Sequence, residues 1–414
     1  MDAEKIKVRK DLDLFPVQSG DRTLIMIKDK LGLVEEGRAI SPELYKVMAM
    51  LDGAHSLRDV QIELMRRQGG RLVSMEEVEE LVKQLDNSFL LDSPRYRGAK
   101  QEIVARFTAQ KIRSCSLAGL SYPAKEEDLR RRLEDILNTQ TIPETPQGKI
   151  TAVVAPHIDL EAGKRVYASA YQAIRDGNQV KKVIVLGVGH SLTERMFSLT
   201  TKTFETPLGR VETDEETVRE LMKAGGDILS IDDFVHRDEH SIEFQLIFLQ
   251  HIFRGSSFAL VPVLCGSLLG SLPVYSREAY RSEGGRFLHV LADAAKDDET
   301  ILIAGVDFSH IGQKFGHDMP ASFIINESEK HDRELLRFLC DGNANGFWEE
   351  SKKVEDKFNV CGFSALACLL EVLPPSRGKL LAYETYREEP TKSAVSFAAA
   401  IFTRLRRKPG LARG

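Results

Sequence analysis

TILIAGVDFSH, residues 300–310, is the stretch from which the fold is read. Its first half is a short apolar run rich in β-branched residues, the signature of a strand buried on both faces. Polar Asp307 and His310 follow at once. The same arrangement recurs upstream. ITAVVAP (150–156) runs into His157, and KKVIVLGVG (181–189) runs into His190. Further strand-like runs are SFALVPVLCG (257–266), LLAYETY (380–386) and AVSFAAAIF (394–402), with helix-like segments such as GKRVYASAYQAIRDG (163–177) and EHSIEFQLIFLQHIF (239–253) between several of them. Apolar strands alternating with helices predict an α/β fold with a mostly parallel sheet flanked by helices. Ligands of such sheets collect outside the carboxyl ends of the strands. His157, His190, Asp307 and His310 are therefore expected on one rim.

The chain has 414 residues, a length that favours two domains. Residues 1–105 read as a small winged-helix-like unit and 106–414 as the α/β domain. In the first, a β-like opening, TLIMIKDKLGLV (23–34), precedes three helices with clear start signals. Ser41-Pro42 places a capping residue before a first-turn proline, Ser56 pairs with Asp59, and Ser74 with Glu77 forms a capping box. A charged helix, EEDLRRRLEDILN (126–138), and a connector with Pro143, Pro146 and Gly148 lead into the strands.

A net charge of −5 offers no general attraction to nucleic acid or anionic membrane. The basic tail, Arg404, Arg406, Arg407, Lys408 and Arg413, reads as a solvated terminus. Five scattered cysteines with no C-x-x-C pair argue against a disulfide framework or a structural zinc knuckle. No apolar signal core or run of about 18 apolar residues occurs, so the cytoplasm is the expected location.

Imidazoles delivered by separate strands suit a borderline transition metal. Cys361 in FNVCGFSALACLL (358–370) opens an apolar helix, where a thiolate is favoured. As an alternative it is a small buried residue, and Cys368 reads as packing. His310 is a candidate proton-transfer group, with an unperturbed pKa of about 6.5. Asp307 is either a site residue or the N-cap of a following helix. Ser309 lacks the G-x-S-x-G elbow of a hydrolase. HRDEH, from His236 to His240, matches the H-x-x-E-H pattern of inverted zinc peptidases. Alternatively Glu239, His240 and Glu243 point at the strand-end cleft from a helix start.

Taken together, AGLSYP (118–123), VAPH (154–157), LGVGH (186–190), TPLG (206–209), DEHSIEFQL (238–246), PVLCG (262–266), DFSHIGQKF (307–315), Cys361-Gly362 and SAVSFAA (393–399) resemble the Memo-like family. Its bacterial members are called AmmeMemoRadiSam system protein B. The resemblance implies a fold like that of class III extradiol dioxygenases. It implies metal ligands at His157, His190 and Cys361, with His310 where the dioxygenases keep their catalytic histidine. Asp307, to orient or polarise, and His240, from the helix start, are the further catalytic candidates read from the residues. Iron or copper is the implied metal, and radical SAM and AMMECR-type proteins are the implied partners. A redox enzyme, or a metal-binding adaptor without turnover, follows from the same resemblance. The chain departs from the family pattern with Ile158-Asp159-Leu160 after VAPH and Val188-Gly189 before the second histidine. The N-terminal unit is similar to PqqD-like domains through LDGAHSLRDV (51–60) and EEVEELVKQLDNSFLLDS (76–93), which implies peptide docking.

Overall fold

A computed structural model describes residues 6–20, 22–67, 69–140, 148–175 and 180–405. Pro143, Pro146 and the basic tail beyond Leu405 lie outside the described residues. The chain divides into two compact units, Met1–Ala109 and Gln110–Gly414.

The first unit holds an antiparallel sheet of β1 (Leu12–Ser19), β2 (Arg22–Asp29) and β3 (Ala39–Ile40). Four helices follow: α1 (Pro42–Met48), α2 (Leu57–Arg67), α3 (Met75–Asn87) and α4 (Pro94–Ala109). The start signals act as read. Ser41 caps α1, and Ser74 and Glu77 exchange backbone-to-side-chain bonds at the start of α3. Ile25, Ile27, Val47, Val60, Val78 and Leu85 form its core. The strand β1 and the helix α4 were not among the expected elements.

The second unit contains the strands β4 (Ile112–Arg113), β5 (Ile150–Ala155), β6 (Lys182–Val188), β7 (Phe197–Leu199), β8 (Thr203–Thr206), β9 (Gly209–Val211), β10 (Ala259–Cys265), β11 (Thr300–Gly305), β12 (Asp307–Gly312), β13 (Ser376–Glu388) and β14 (Ser393–Arg404). Its helices are α5 (Glu126–Leu137), α6 (Lys164–Gln172), α7 (Glu215–Gly225), α8 (His240–Ile252), α9 (Leu268–Ser271), α10 (Arg277–Ala294), α11 (Ile325–Cys340), α12 (Ala344–Val354) and α13 (Phe363–Val372). The large sheet runs β12-β14-β5-β11-β6-β10-β7, with β13 on β14. β4, β8 and β9 form a separate small sheet.

Only the centre of the large sheet is parallel. β5, β11, β6 and β10 run together, while β7, β12, β13 and β14 pair antiparallel. The expected mostly parallel sheet is thus corrected to a mixed one. The reason is the link Glu389–Lys392, too short for a parallel crossover, which forces β13 and β14 into a hairpin. Of the two readings of Asp307, the helix N-cap is set aside, because Asp307 begins a strand paired with β14.

Alternate residues of the central strands enter two cores. Ala152, Val154, Ile184, Leu186, Leu302 and Ala304 pack on one face with α7, α10, α11, α12 and α13. Val153, Ala155, Val183, Val185, Ile301 and Ile303 pack on the other with α5, α6 and α8. This two-sided burial is why the strands read as continuous apolar runs. In α5, Leu129, Leu133, Ile136 and Leu137 make the buried stripe of an amphipathic helix.

Strand order decides where the polar strand-end residues meet. β11 lies between β5 and β6, and Ala155, Gly305 and Gly187 stand in one row of the register. The residues after those three strands therefore emerge side by side.

Candidate metal centre

His157 leaves β5 and is almost completely buried. Its backbone N–H donates to Asp307 Oδ1 at 3.0 Å, and its Nδ1 donates to the carbonyl of Gly305 at 2.9 Å. That bond fixes the tautomer and leaves the Nε2 lone pair for a ligand role. Burial lowers the His157 pKa, against the opposing pull of Asp307, so the imidazole is held neutral. His190, after β6, repeats the device with a carboxylate. Its Nδ1 is 3.0 Å from Glu239 Oε2, and its backbone N–H reaches the same oxygen at 3.1 Å. His240 opens α8, with Nδ1 3.4 Å from Glu239 Oε1. One ring nitrogen from each of His157, His190 and His240 lies within 4.8 Å of the others. Three imidazoles at that spacing, two with Nδ1 tied to outer partners, fit a transition-metal ion.

The start of α8 reaches this place because two strand ends carry no side chain. A Cβ on Gly305 would sit 2.5 Å from the Ser241 carbonyl and 2.7 Å from Gln245 Nε2. On Gly187 it would meet Ser241 Oγ at 2.6 Å. With glycine there, Ser241 Oγ accepts from the Val188 N–H at 3.0 Å, and Gln245 Nε2 donates to the Pro156 carbonyl at 3.0 Å. Glu239 caps the helix by accepting from Ser241 N–H at 3.0 Å. Burial would raise the Glu239 carboxyl, but its bond to His190 and the nearby imidazoles outweigh this and hold it well below the ordinary range.

Glu243, one turn on, does not face the cleft as expected. It is fully buried and paired with Arg113, and it accepts from the Ser116 and Leu117 amides at 3.0 Å and from the Tyr122 hydroxyl. The carboxylate of DEHSIEFQL thereby anchors Tyr122 of AGLSYP and the two residues just before that motif.

Cys361 Sγ lies 3.6 Å from His157 Nε2 and 3.6 Å from the Asp307 carbonyl. Its neighbour Gly362 permits that approach, since a Cβ there would be 2.5 Å from the Asp307 carbonyl. Cys361 precedes the N-cap Gly362 of α13. Burial pushes its thiol well up, and the Asp307 charge adds to this, so the helix start alone does not make it a thiolate. Asp307 Oδ2 is 3.7 Å from His157 Nε2. His310, on β12, has Nδ1 bonded to the Phe308 carbonyl at 3.0 Å and its ring edge-on to Phe315. Burial lowers its pKa, partly offset by Asp307. His190, His310 and Cys361 all line one cleft of about 400 Å³.

The structure thus brings together His157, His190, His240, Asp307 and Cys361, with His310 on the same cleft. The third imidazole beside His157 and His190 is His240, which the sequence placed among catalytic groups. Cys368 is buried in the core as read. Ser309 is buried and donates to Asp332 Oδ1 at 2.7 Å, which is a packing role and not that of a nucleophile. His236 is buried in the turn before α8 and stands outside the imidazole group, so the H-x-x-E-H reading is not assembled. The cleft walls from Tyr275 and from the segment 356–360 were missed, because nothing in their spacing marks them. Among the described residues, no helix is long and apolar enough to cross a membrane.

Helices on both faces of a parallel-centred sheet, with imidazoles at neighbouring strand ends, define an α/β protein with a candidate metal centre. A profile described as Memo-like protein matches residues 113–401. A MEMO1 family protein of Aquifex aeolicus is 30% identical over 401 residues, covering 96% of this chain and 100% of the relative. One from Methanopyrus kandleri is 30% identical over 306 residues, covering 70% of this chain and 99% of its own length. One from Thermus thermophilus is 27% identical over 347 residues, covering 84% and 98%. The chain belongs to the Memo-like family.

Proposed function

We propose that His157, His190 and His240 hold a transition-metal ion, iron or copper, and that the chain is a metal-dependent redox enzyme related to oxygenases. The observation that carries this is the convergence of three ring nitrogens within 4.8 Å. The kinship to class III extradiol dioxygenases implied by the family resemblance belongs to the same proposal. When bound, such an ion supplies Lewis-acid polarisation and a redox centre.

The residues around it have separable tasks. Glu239 orients His190 and His240, and the Gly305 carbonyl orients His157. Asp307 holds the His157 backbone and sets a negative charge beside the imidazoles. His310 transfers protons in the cleft. Its Nδ1 is fixed by Phe308, which leaves Nε2 as the basic atom, and burial favours the neutral form that can accept a proton. Cys361 borders the reacting space as an additional sulfur donor.

The second reading is a metal-binding adaptor working in the cytoplasm with radical SAM and AMMECR-type proteins. The separate core of the N-terminal unit favours it, since a PqqD-like module would serve as a peptide-docking arm. Anaerobic metal analysis of protein purified from its own host tests both readings. Stoichiometric iron or copper, lost in His157→Ala and His240→Ala, is expected. A metal-free native protein would sink both. Oxygen consumption by loaded protein with catechol-like substrates separates the enzyme from the adaptor.

A further inference from the structure

One wall of the cleft, beside the strand that carries His310, is built from an unusual piece of backbone. Glu355, Asp356 and Asn359 all have positive φ, at 48°, 58° and 48°. Such conformations are costly for residues other than glycine and persist where the surroundings impose them. Here the imposing contacts are visible. Asn359 Nδ2 donates to the His310 carbonyl at 3.1 Å and to the Phe315 carbonyl at 3.2 Å. The loop is thereby tied to the strand that carries His310, and it presents Asp356 to the cleft.

Among the described residues that line the cleft, Asp356 is the only carboxylate, and none is a lysine or arginine. Its Oδ1 accepts a single long bond, 3.3 Å, from the Val360 amide. Among the described residues it has no ion-pair partner. Burial pushes its carboxyl up, and its charge is felt by both Tyr275 and Cys361, which also line the cleft. The nearest lysine in sequence, Lys357, is engaged with Glu327 at 2.7 Å. The rest of the lining is largely apolar, with Leu192, Leu268, Tyr275, Val360 and Phe363. His331, whose charge acts on Asp356, is itself paired with Glu350 at 3.1 Å. The other polar side chains of the cleft include His190, Thr193, Ser267, His310, Asn359 and Ser364. A half-buried carboxylate with no ion pair of its own in such a cleft is open to a cationic ligand.

We propose that the cleft binds a small molecule with an apolar body and a protonated amine, and that Asp356 receives the amine. A cleft of about 400 Å³ is in the range used by small-molecule ligands. Apolar walls bury the body, and one fixed polar group sets its orientation. Phosphorylated or carboxylated molecules are disfavoured at this wall, because the lining offers them no cationic side chain. The inference names a substrate class for the metal-dependent activity proposed above, and rests on that reading only for what happens to the bound molecule.

Benzylamine is the probe, with benzyl alcohol and benzoate as neutral and anionic counterparts. Binding to the full chain, metal-free and metal-loaded, is measured by calorimetry and ligand-observed NMR. Benzylamine should bind metal-free protein at least about tenfold tighter than either counterpart, as a charge-assisted bond requires. Asp356→Asn should erase that preference. Asparagine tolerates a left-handed backbone, so the substitution removes the charge and keeps the loop. Equal binding of amine and alcohol by the wild-type chain would overturn the proposal even if the variant failed to fold. So would a preference that survives in Asp356→Asn, or no detectable binding of benzylamine. Metal content is measured on the same samples. An amine preference in protein that never takes up metal would sink the metal reading alone.

Discussion

Oε2 of Glu239 stands 3.0 Å from Nδ1 of His190, while Oε1 of the same carboxylate is 3.4 Å from Nδ1 of His240. One side chain thereby orients two imidazoles and also caps the helix that delivers the second. Glu239→Gln keeps the shape and removes the charge. Outer partners of this kind typically contribute about 10–100-fold in metal affinity. A loss of that size is expected in competitive metal titration, with the far-ultraviolet circular dichroism unchanged. Undiminished affinity would show that the carboxylate serves only the helix cap.

His240 and Cys361 are the competing neighbours of the His157–His190 pair. The imidazole is within 4.8 Å of both partners, while the sulfur contacts His157 alone at 3.6 Å. His240→Ala should therefore empty the site at metal concentrations that load the wild-type chain. Cys361→Ser should retain the metal and shift its absorption spectrum. If the serine variant is the empty one, the thiol replaces His240 as third ligand, in the arrangement that the family resemblance implies.

His310 stands apart from that cluster, on β12, with Nδ1 held by Phe308. His310→Ala should keep full metal content while any turnover falls by roughly 10²–10⁴-fold, the usual contribution of a positioned acid or base. Elemental analysis beside the rate measurement distinguishes this from a ligand role.

Glu243 is buried against Arg113 and bonds to Ser116, Leu117 and Tyr122, away from the cleft. Breaking a buried pair leaves an uncompensated charge and costs about 3–5 kcal/mol. Glu243→Ala should lower the urea midpoint accordingly. Burial would raise the Glu243 carboxyl, but the Arg113 charge and the amide bonds outweigh it, so its folded pKa is lowered. The stabilisation is then full above the unfolded value of about 4.3 and is lost as pH falls through the folded one. The stability gap between wild type and variant should narrow in acid, and a gap independent of pH would contradict the assignment.

The two units have separate cores. The Methanopyrus kandleri relative is covered over 99% of its length by 70% of this chain. A chain of residues 110–414 should therefore fold alone, with a cooperative thermal transition and unchanged metal affinity. An insoluble truncated chain would show that the N-terminal unit is needed for stability.

The rim at His157, His190, Asp307 and His310 was legible because each follows a strand buried on both faces, and such strands read as unbroken apolar runs. Two things hid the rest. DFSHIG is too short and too polar to show an alternation, so the hydrogen bonds of Asp307 with β14 could not be told from a helix cap. The place of His240 depends on how far α8 can approach the sheet, a matter of the missing side chains at Gly187 and Gly305 that no periodicity records. Asp356 was invisible for a related reason: its importance comes from the backbone path of 355–359, not from any spacing.

Gly305 meets two demands with one residue. Its carbonyl fixes the His157 ring, while its bare Cα leaves room for Ser241 and Gln245. Because the conformation is that of an ordinary strand, alanine would satisfy the backbone and still displace the helix by the width of a methyl group. Ring orientation and helix position therefore cannot be adjusted separately by changing this residue. Asp356 and Tyr275 stand on other elements, the loop before α13 and the segment before α10, so the imidazole cluster and that part of the cleft wall are free to diverge at different rates.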